Sequence, residues 1–216
     1  MFPEPDAAGA RSRSAMIAEL RRLQARDLGP EPGEGPDERC DLCGATIPPD
    51  HRHLLHLESR RIVCSCETCR ALLSGDTPYR PTGTRVLWLP ELDLSDELWA
   101  SLAIPIGLAC LYRDGRGGEV VALYPSAAGT TRSELDLSAW ERIVAANPVL
   151  EDLEDDVEAL VVDRLGGNRR YAVAPIDECF RLAGMIRLSW TGISGGDGVR
   201  DAVDAFFGEL QARVPT

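Results

Sequence analysis

The sequence predicts an α+β protein in two parts, a small zinc-ribbon or treble-clef-like module followed by an α+β domain with a largely antiparallel sheet. Three observations predict it. Two C-x-x-C pairs, Cys40-Asp-Leu-Cys43 and Cys66-Glu-Thr-Cys69, stand 22 residues apart, close to the spacing of a four-thiolate metal site. Two pairs of apolar runs are joined by glycine-rich turns, RDGRGG at 113–118 and GGNRR at 166–170, and each pair reads as a hairpin. Amphipathic helical patterns follow each hairpin, which interleaves helices with antiparallel strands.

The elements follow in order. Residues 1–38 read as a mostly flexible segment with one short amphipathic helix at 14–25, where Met16, Ile17, Leu20 and Leu23 share a face. The stretch LGPEPGEGPDE at 28–38 is a linker by its prolines and glycines. Residues 39–81 form the four-cysteine module. Its expected parts are a knuckle at Cys40–Gly44, a hairpin of 53–57 and 61–65 turning at 58–60, and a helix from Cys66 to Leu73. The breaker-rich SGDTPYRPTG at 74–83 reads as a connector.

Residues 82–216 form the acidic α+β domain. Strands are expected at 85–89, 106–112, 119–124, 157–165 and 171–174. Helices are expected at 95–102 with Ser95 as N-cap, at 138–146 with Ser138 as N-cap, at 176–188 and at 199–213. The last presents Val203, Phe206, Phe207 and Leu210 on one face. ALVVDRLGGNRRYAVAPI can be laid over GLACLYRDGRGGEVVALYPS, which reads either as a duplicated unit or as two like hairpins in one sheet.

In the module, two residues between cysteines let backbone amides turn toward the thiolates while both sulfurs reach one ion. Cys40, Cys43, Cys66 and Cys69 are therefore the candidate metal ligands. Zinc is the first choice, because a closed four-sulfur shell needs no redox role and suits a module with little core. Iron in a rubredoxin-like site is the alternative. Cys64 complicates the set, since an extended CSC segment points Cys64 and Cys66 to the same side. It reads as a buried small hydrophobe, a thiol beside the ligands that does not itself bind the ion, an alternative ligand, or a redox-sensitive partner. His51 and His53 share a strand face and His56 takes the other. Structural roles or hydrogen bonds to thiolates are expected of them ahead of ligation.

Composition narrows the function classes. The chain has 216 residues, 44% hydrophobic and 27% charged, and no apolar run approaches the ~20 residues of a membrane-spanning helix. All 23 basic residues are arginine, so Schiff-base, pyridoxal and P-loop chemistries, which need lysine, are excluded. A net charge of −12 argues against a nucleic-acid partner, which selects a basic footprint. Seven cysteines, five of them between 40 and 69, behind a start unlike a secretory signal, point to a metal site in a reducing cytoplasm. Cys179 reads as a core cysteine and Asp177 as a dipole partner at a helix start. The run EDLEDDVE at 151–158 reads as a solvated acidic face or a docking patch.

The segments ERCDLCG, HRHLLHL, CSCETC, IPIGLACLY, YPSAAGTTRSELDLSAW, NPVLEDLEDDVEAL and APIDECFRLAGMIRLSWTGISGG resemble a family of bacterial proteins encoded beside nickel–iron hydrogenase genes, above all those of the high-affinity, oxygen-tolerant type. The resemblance runs from about Arg39 to Phe207. It implies an accessory role in the assembly or maturation of a metalloenzyme, with a hydrogenase subunit or maturation protein as partner, and it carries over no catalytic residue. A rubredoxin-like electron carrier and a thiol oxidoreductase using Cys64 with Cys66 or Cys69 stand as alternatives.

Overall fold

Strand residues alternate between two faces, and here helices cover both. In a computed structural model that describes residues 38–75, 77–126, 129–191 and 196–214, the domain is built on a six-stranded sheet. Its strands are β4 (Leu87–Trp88), β5 (Leu108–Arg113), β6 (Val120–Ser126), β7 (Gly129–Glu134), β8 (Glu158–Asp163) and β9 (Arg170–Pro175), in the order β4-β9-β8-β5-β6-β7. Every pairing is antiparallel. The expected helix at 14–25 and nearly all of the linker before Glu38 lie outside the described residues.

One face carries Leu108, Cys110 and Tyr112 of β5, Val121 and Leu123 of β6, and Ala159 and Val161 of β8. These pack against helix α4 (Ile176–Ser189) and helix α5 (Gly196–Ala212), which contribute Cys179, Leu182, Ile186, Val203, Phe206 and Phe207. The intervening residues, Ala109, Leu111, Ala122, Leu160 and Val162, meet helix α2 (Asp96–Ser101) and helix α3 (Leu137–Ala146) on the other side. Burial on both faces explains why LACLY and ALVV read as continuous apolar runs. The two like hairpins, β5–β6 and β8–β9, lie side by side and join through β5 and β8.

Several boundaries differ from expectation, each for a local reason. The strand expected at 85–89 is paired only at Leu87–Trp88, against Val173 and Ala172. Ser95 caps α2 as expected, accepting a bond from Leu98 N–H. The cap of α3 is Asp136 instead of Ser138: its carboxylate accepts from the Ser138 N–H at 2.8 Å and the Ser138 hydroxyl at 2.7 Å. Those bonds from Ser138 hold the Asp136 carboxyl below its usual range.

The module has its own three-stranded sheet, β1 (Arg52–His56), β2 (Arg61–Ser65) and β3 (Tyr79–Pro81), in the order β2-β1-β3, followed after β2 by helix α1 (Glu67–Leu73). β3 falls inside the expected connector. Its Pro81 sits on an edge strand, where a missing N–H costs no ladder bond.

The module does not hang free of the domain. Leu55, 1% exposed, belongs to the domain's own apolar cluster, with Leu57 and Ile62 packed beside it. Around this contact runs an ionic seam. At the β1–β2 turn, Arg60 donates to Asp156 Oδ1 at 2.6 Å. Arg80 donates to Glu154 at 2.7 Å and to the Asp155 carbonyl at 2.9 Å. Arg85 donates to Glu158 through Nε at 2.8 Å and through Nη2 at 2.5 Å. The acidic run is thus a solvated face only in part: Glu151, Asp152 and Glu154 are exposed, whereas Asp156 and Glu158 are each 4% exposed and pair with arginines of this chain.

Candidate metal centre

The knuckle is built by backbone geometry. A bridge between Arg39 and Thr46 closes the loop, Cys40 N–H donates to the Ala45 carbonyl at 2.8 Å, and Gly44 N–H donates to the Cys40 carbonyl at 2.8 Å. Gly44 turns through φ +74°, a conformation a Cβ would disfavour. The second pair comes from the start of α1, where Cys66 is the N-cap and its sulfur accepts from Cys69 N–H at 3.4 Å. The two halves are zipped together by Asp41, whose N–H donates to the Cys64 carbonyl at 2.9 Å and whose carboxylate accepts from Cys64 N–H at 2.8 Å. Knuckle, hairpin and helix follow one another as in a treble clef.

These elements bring the sulfurs of Cys40, Cys43, Cys66 and Cys69 within 4.8 Å of one another. Cys43 and Cys66 sulfurs are 3.8 Å apart. An ion about 2.3 Å from each sulfur of a tetrahedron sets those sulfurs about 3.8 Å apart, so the cluster could hold a metal ion.

The Cys40 and Cys69 thiols are electrostatically unequal. Burial raises the Cys40 pKa, but amides of Cys66, Leu42 and Cys43 directed at its sulfur outweigh that and bring it from 9.0 to about 6. The Cys69 thiol goes the other way, up to about 12, chiefly because it hydrogen-bonds Cys43, with desolvation and the Cys66 and Cys40 sulfurs adding to the rise. A cation among them removes that conflict by favouring all four thiolates.

Cys64 does not join this group. It lies directly across the hairpin from His53, and its sulfur forms a second cluster with His51 and His53, the ligand atoms again within 4.8 Å of one another. His56 is elsewhere, accepting from Ser59 N–H at 3.2 Å and stacking edge-on against Tyr79. The expected turn misses this pairing by one: counting back from 58–60 sets residue 53 opposite residue 65, whereas the turn observed at 57–60 sets His53 opposite Cys64.

Asp177, read from sequence as a helix-dipole partner, stands in the first turn of α4 and also accepts from His53 Nδ1 at 2.8 Å and from the Thr82 hydroxyl at 3.2 Å. Cys179 is buried at 3% exposure beside Cys110, and burial pushes its thiol well above 9.0. Such a group is a core residue and not a nucleophile. Among the described residues, no helix is long and apolar enough to cross a membrane.

No curated protein and no solved structure matches the chain. A family model does match, over residues 39–214, from the residue before the first cysteine to the end of the described structure. That span takes in the four-cysteine cluster, the ionic seam and the whole six-stranded sheet, and the chain belongs to the family of unknown function DUF5947.

Proposed function

We propose that the chain is a zinc-binding accessory protein of a nickel–iron hydrogenase system, acting in assembly, maturation or protein interaction. The observation that carries the metal reading is the closed four-sulfur cluster, with the Cys43–Cys66 separation of a tetrahedral site. Four protein thiolates leave no position for substrate, which is the pattern of a structural ion. The hydrogenase link rests on the resemblance of the cysteine, hairpin and helix segments quoted above.

Iron in the same four cysteines is the second reading, and the two arms of the cluster speak against it. A rubredoxin-like site is built from two matching knuckles, each with a glycine after its pair. Here Gly44 follows the first pair, while Cys66 and Cys69 are the cap and third residue of a helix with Arg70 next. A thiol oxidoreductase using Cys64 is weakened because Cys64 is grouped with imidazoles and not with Cys66 or Cys69.

One purification tests both halves. The tagged full chain, isolated from a bacterium that makes such a hydrogenase, is expected to retain one zinc per chain after treatment with a weak chelator. It is also expected to bring down a hydrogenase subunit or maturation protein identifiable by mass spectrometry. Stoichiometric iron with a red colour would replace zinc by the electron-carrier reading. Absence of every hydrogenase-related protein from the eluate would remove the hydrogenase half.

A further inference from the structure

The second cluster, His51, His53 and Cys64, is arranged as a metal site in its own right. Both imidazoles are held through Nδ1. His51 Nδ1 lies 3.0 Å from the Pro48 carbonyl and 2.9 Å from a Glu38 carboxylate oxygen. Both partners only accept, so Nδ1 carries a proton, and in the neutral ring that leaves the lone pair on Nε2. His53 Nδ1 faces Asp177 Oδ2 at 2.8 Å, which fixes the same tautomer there. Carboxylates behind ligating histidines do this in metal sites: they hold the ring and raise the basicity of the free nitrogen.

The free nitrogen of His51 has nowhere else to go. Its side chain is 6% exposed, and its Nε2 is buried without a hydrogen-bond partner. A buried polar atom left unpaired costs about 1–3 kcal/mol, and a bound cation would give that lone pair a partner. The ligand atoms of His51, His53 and Cys64 lie within 4.8 Å of one another, and the two rings meet edge to face at 4.7 Å. Zinc about 2.3 Å from sulfur and about 2.0 Å from nitrogen would draw them together by a modest closure. Two neutral imidazoles and one thiolate leave a divalent ion with net charge +1. Glu38, Asp41 and Asp177 around the cluster suit that charge.

We infer that His51, His53 and Cys64 form a second metal site, distinct from the four-cysteine centre, that takes a late divalent transition-metal ion, zinc above all. Nitrogen and sulfur donors select such ions over magnesium or calcium. The site offers three protein ligands against four in the neighbouring centre. Three ligands leave a fourth position for water or an incoming group, which is the difference between exchangeable or reactive zinc sites and structural ones. His53, with 28% of its side chain exposed, gives the ion a way in and out.

The test counts ions on the full chain. Wild-type protein loaded with zinc and desalted without chelator is expected to hold two ions by native mass spectrometry. Cys64→Ala and His51→Ala are each expected to hold one, and His56→Gln two. The ion kept by the four cysteines reports that a variant's module is folded. Cobalt added to wild-type protein already carrying one zinc is expected to give a visible tetrahedral spectrum with a sulfur-to-metal band, absent from Cys64→Ala. Asp177→Asn should weaken the second ion by about 10- to 100-fold and leave the first in place. One ion in the wild type, or two in both Cys64→Ala and His51→Ala, would overturn the second site alone. No ion at all would overturn the four-cysteine reading with it.

Discussion

Cys40→Ser combined with Cys43→Ser is expected to abolish metal retention at the four-cysteine centre and to unfold the module around it. The effect should be large because metal binding and folding are one event in such modules, with apparent binding free energies of about 10–16 kcal/mol in small zinc fingers. Among the described residues, the module's buried apolar side chains besides Cys40 are Ile47, Leu54, Leu55 and Val63, and Leu55 belongs to the domain's cluster, so the module has little core of its own. Hydrogen exchange should therefore become fast across residues 39–65, while amides of β5, β6 and β8 remain protected within a sheet covered on both faces. Chelation of wild-type protein with a strong chelator should reproduce the result, and added zinc should reverse it for wild type only. Unchanged protection at residues 39–65 in the double variant would show that the thiols are not what folds the module.

Asp156→Ala is the second substitution with a large expected cost, about 3–5 kcal/mol, the range for removing one partner of a buried ion pair. The Asp156 side chain is 5% exposed and serves three donors: Arg60 at 2.6 Å, Arg80 at 3.4 Å and Gly115 N–H at 3.1 Å. Its backbone adopts φ +67°, a region that Asn tolerates better than Ala. Asp156→Asn consequently separates charge from conformation, and is expected to cost less than Asp156→Ala but still lower the melting temperature. Gly115 shows how closely the seam is built, since a Cβ there would sit 2.6 Å from Asp156 Oδ2. Thermal melts of the two Asp156 variants decide the matter. Values within a degree of wild type for both would mean that the seam is not holding module to domain.

The parts legible in sequence were those encoded locally. Both domain hairpins, the N-cap at Ser95 and the four thiols declare themselves within a few residues, through apolar periodicity, turn glycines and ligand spacing. β7 did not, because an edge strand exposes one side and so carries GTTRSE, a sequence that reads as a loop. The acidic run misled in part and for a different reason. Glu151, Asp152 and Glu154 are exposed as expected, but Asp156 and Glu158 are buried by arginines from distant segments, Arg60 from 96 residues away. The His51, His53 and Cys64 cluster fell between these cases. Its members were each noticed, but only the register of β1 on β2 places His53 opposite Cys64.

The strand order sets a sequence of events in time. β5–β6 and β8–β9 are hairpins whose partners are neighbours in the chain, and such contacts form before distant ones because little loop-closure entropy stands in their way. β5 and β8 then unite the two hairpins. Leu87 and Trp88 of β4 must wait for Val173 and Ala172, and a two-residue ladder offers little in return for closing so long a loop. Asp156 is presented at the start of β8 by a bond from its N–H to the Arg113 carbonyl, so the socket for Arg60 exists only once β5 and β8 are together. The module thus arrives at a finished surface, last. Pulse-labelled exchange during refolding should protect amides of β5, β6 and β8 before the module's Leu57 N–H, which donates to the Pro78 carbonyl; the reverse order would mean that the module nucleates the sheet on which it sits.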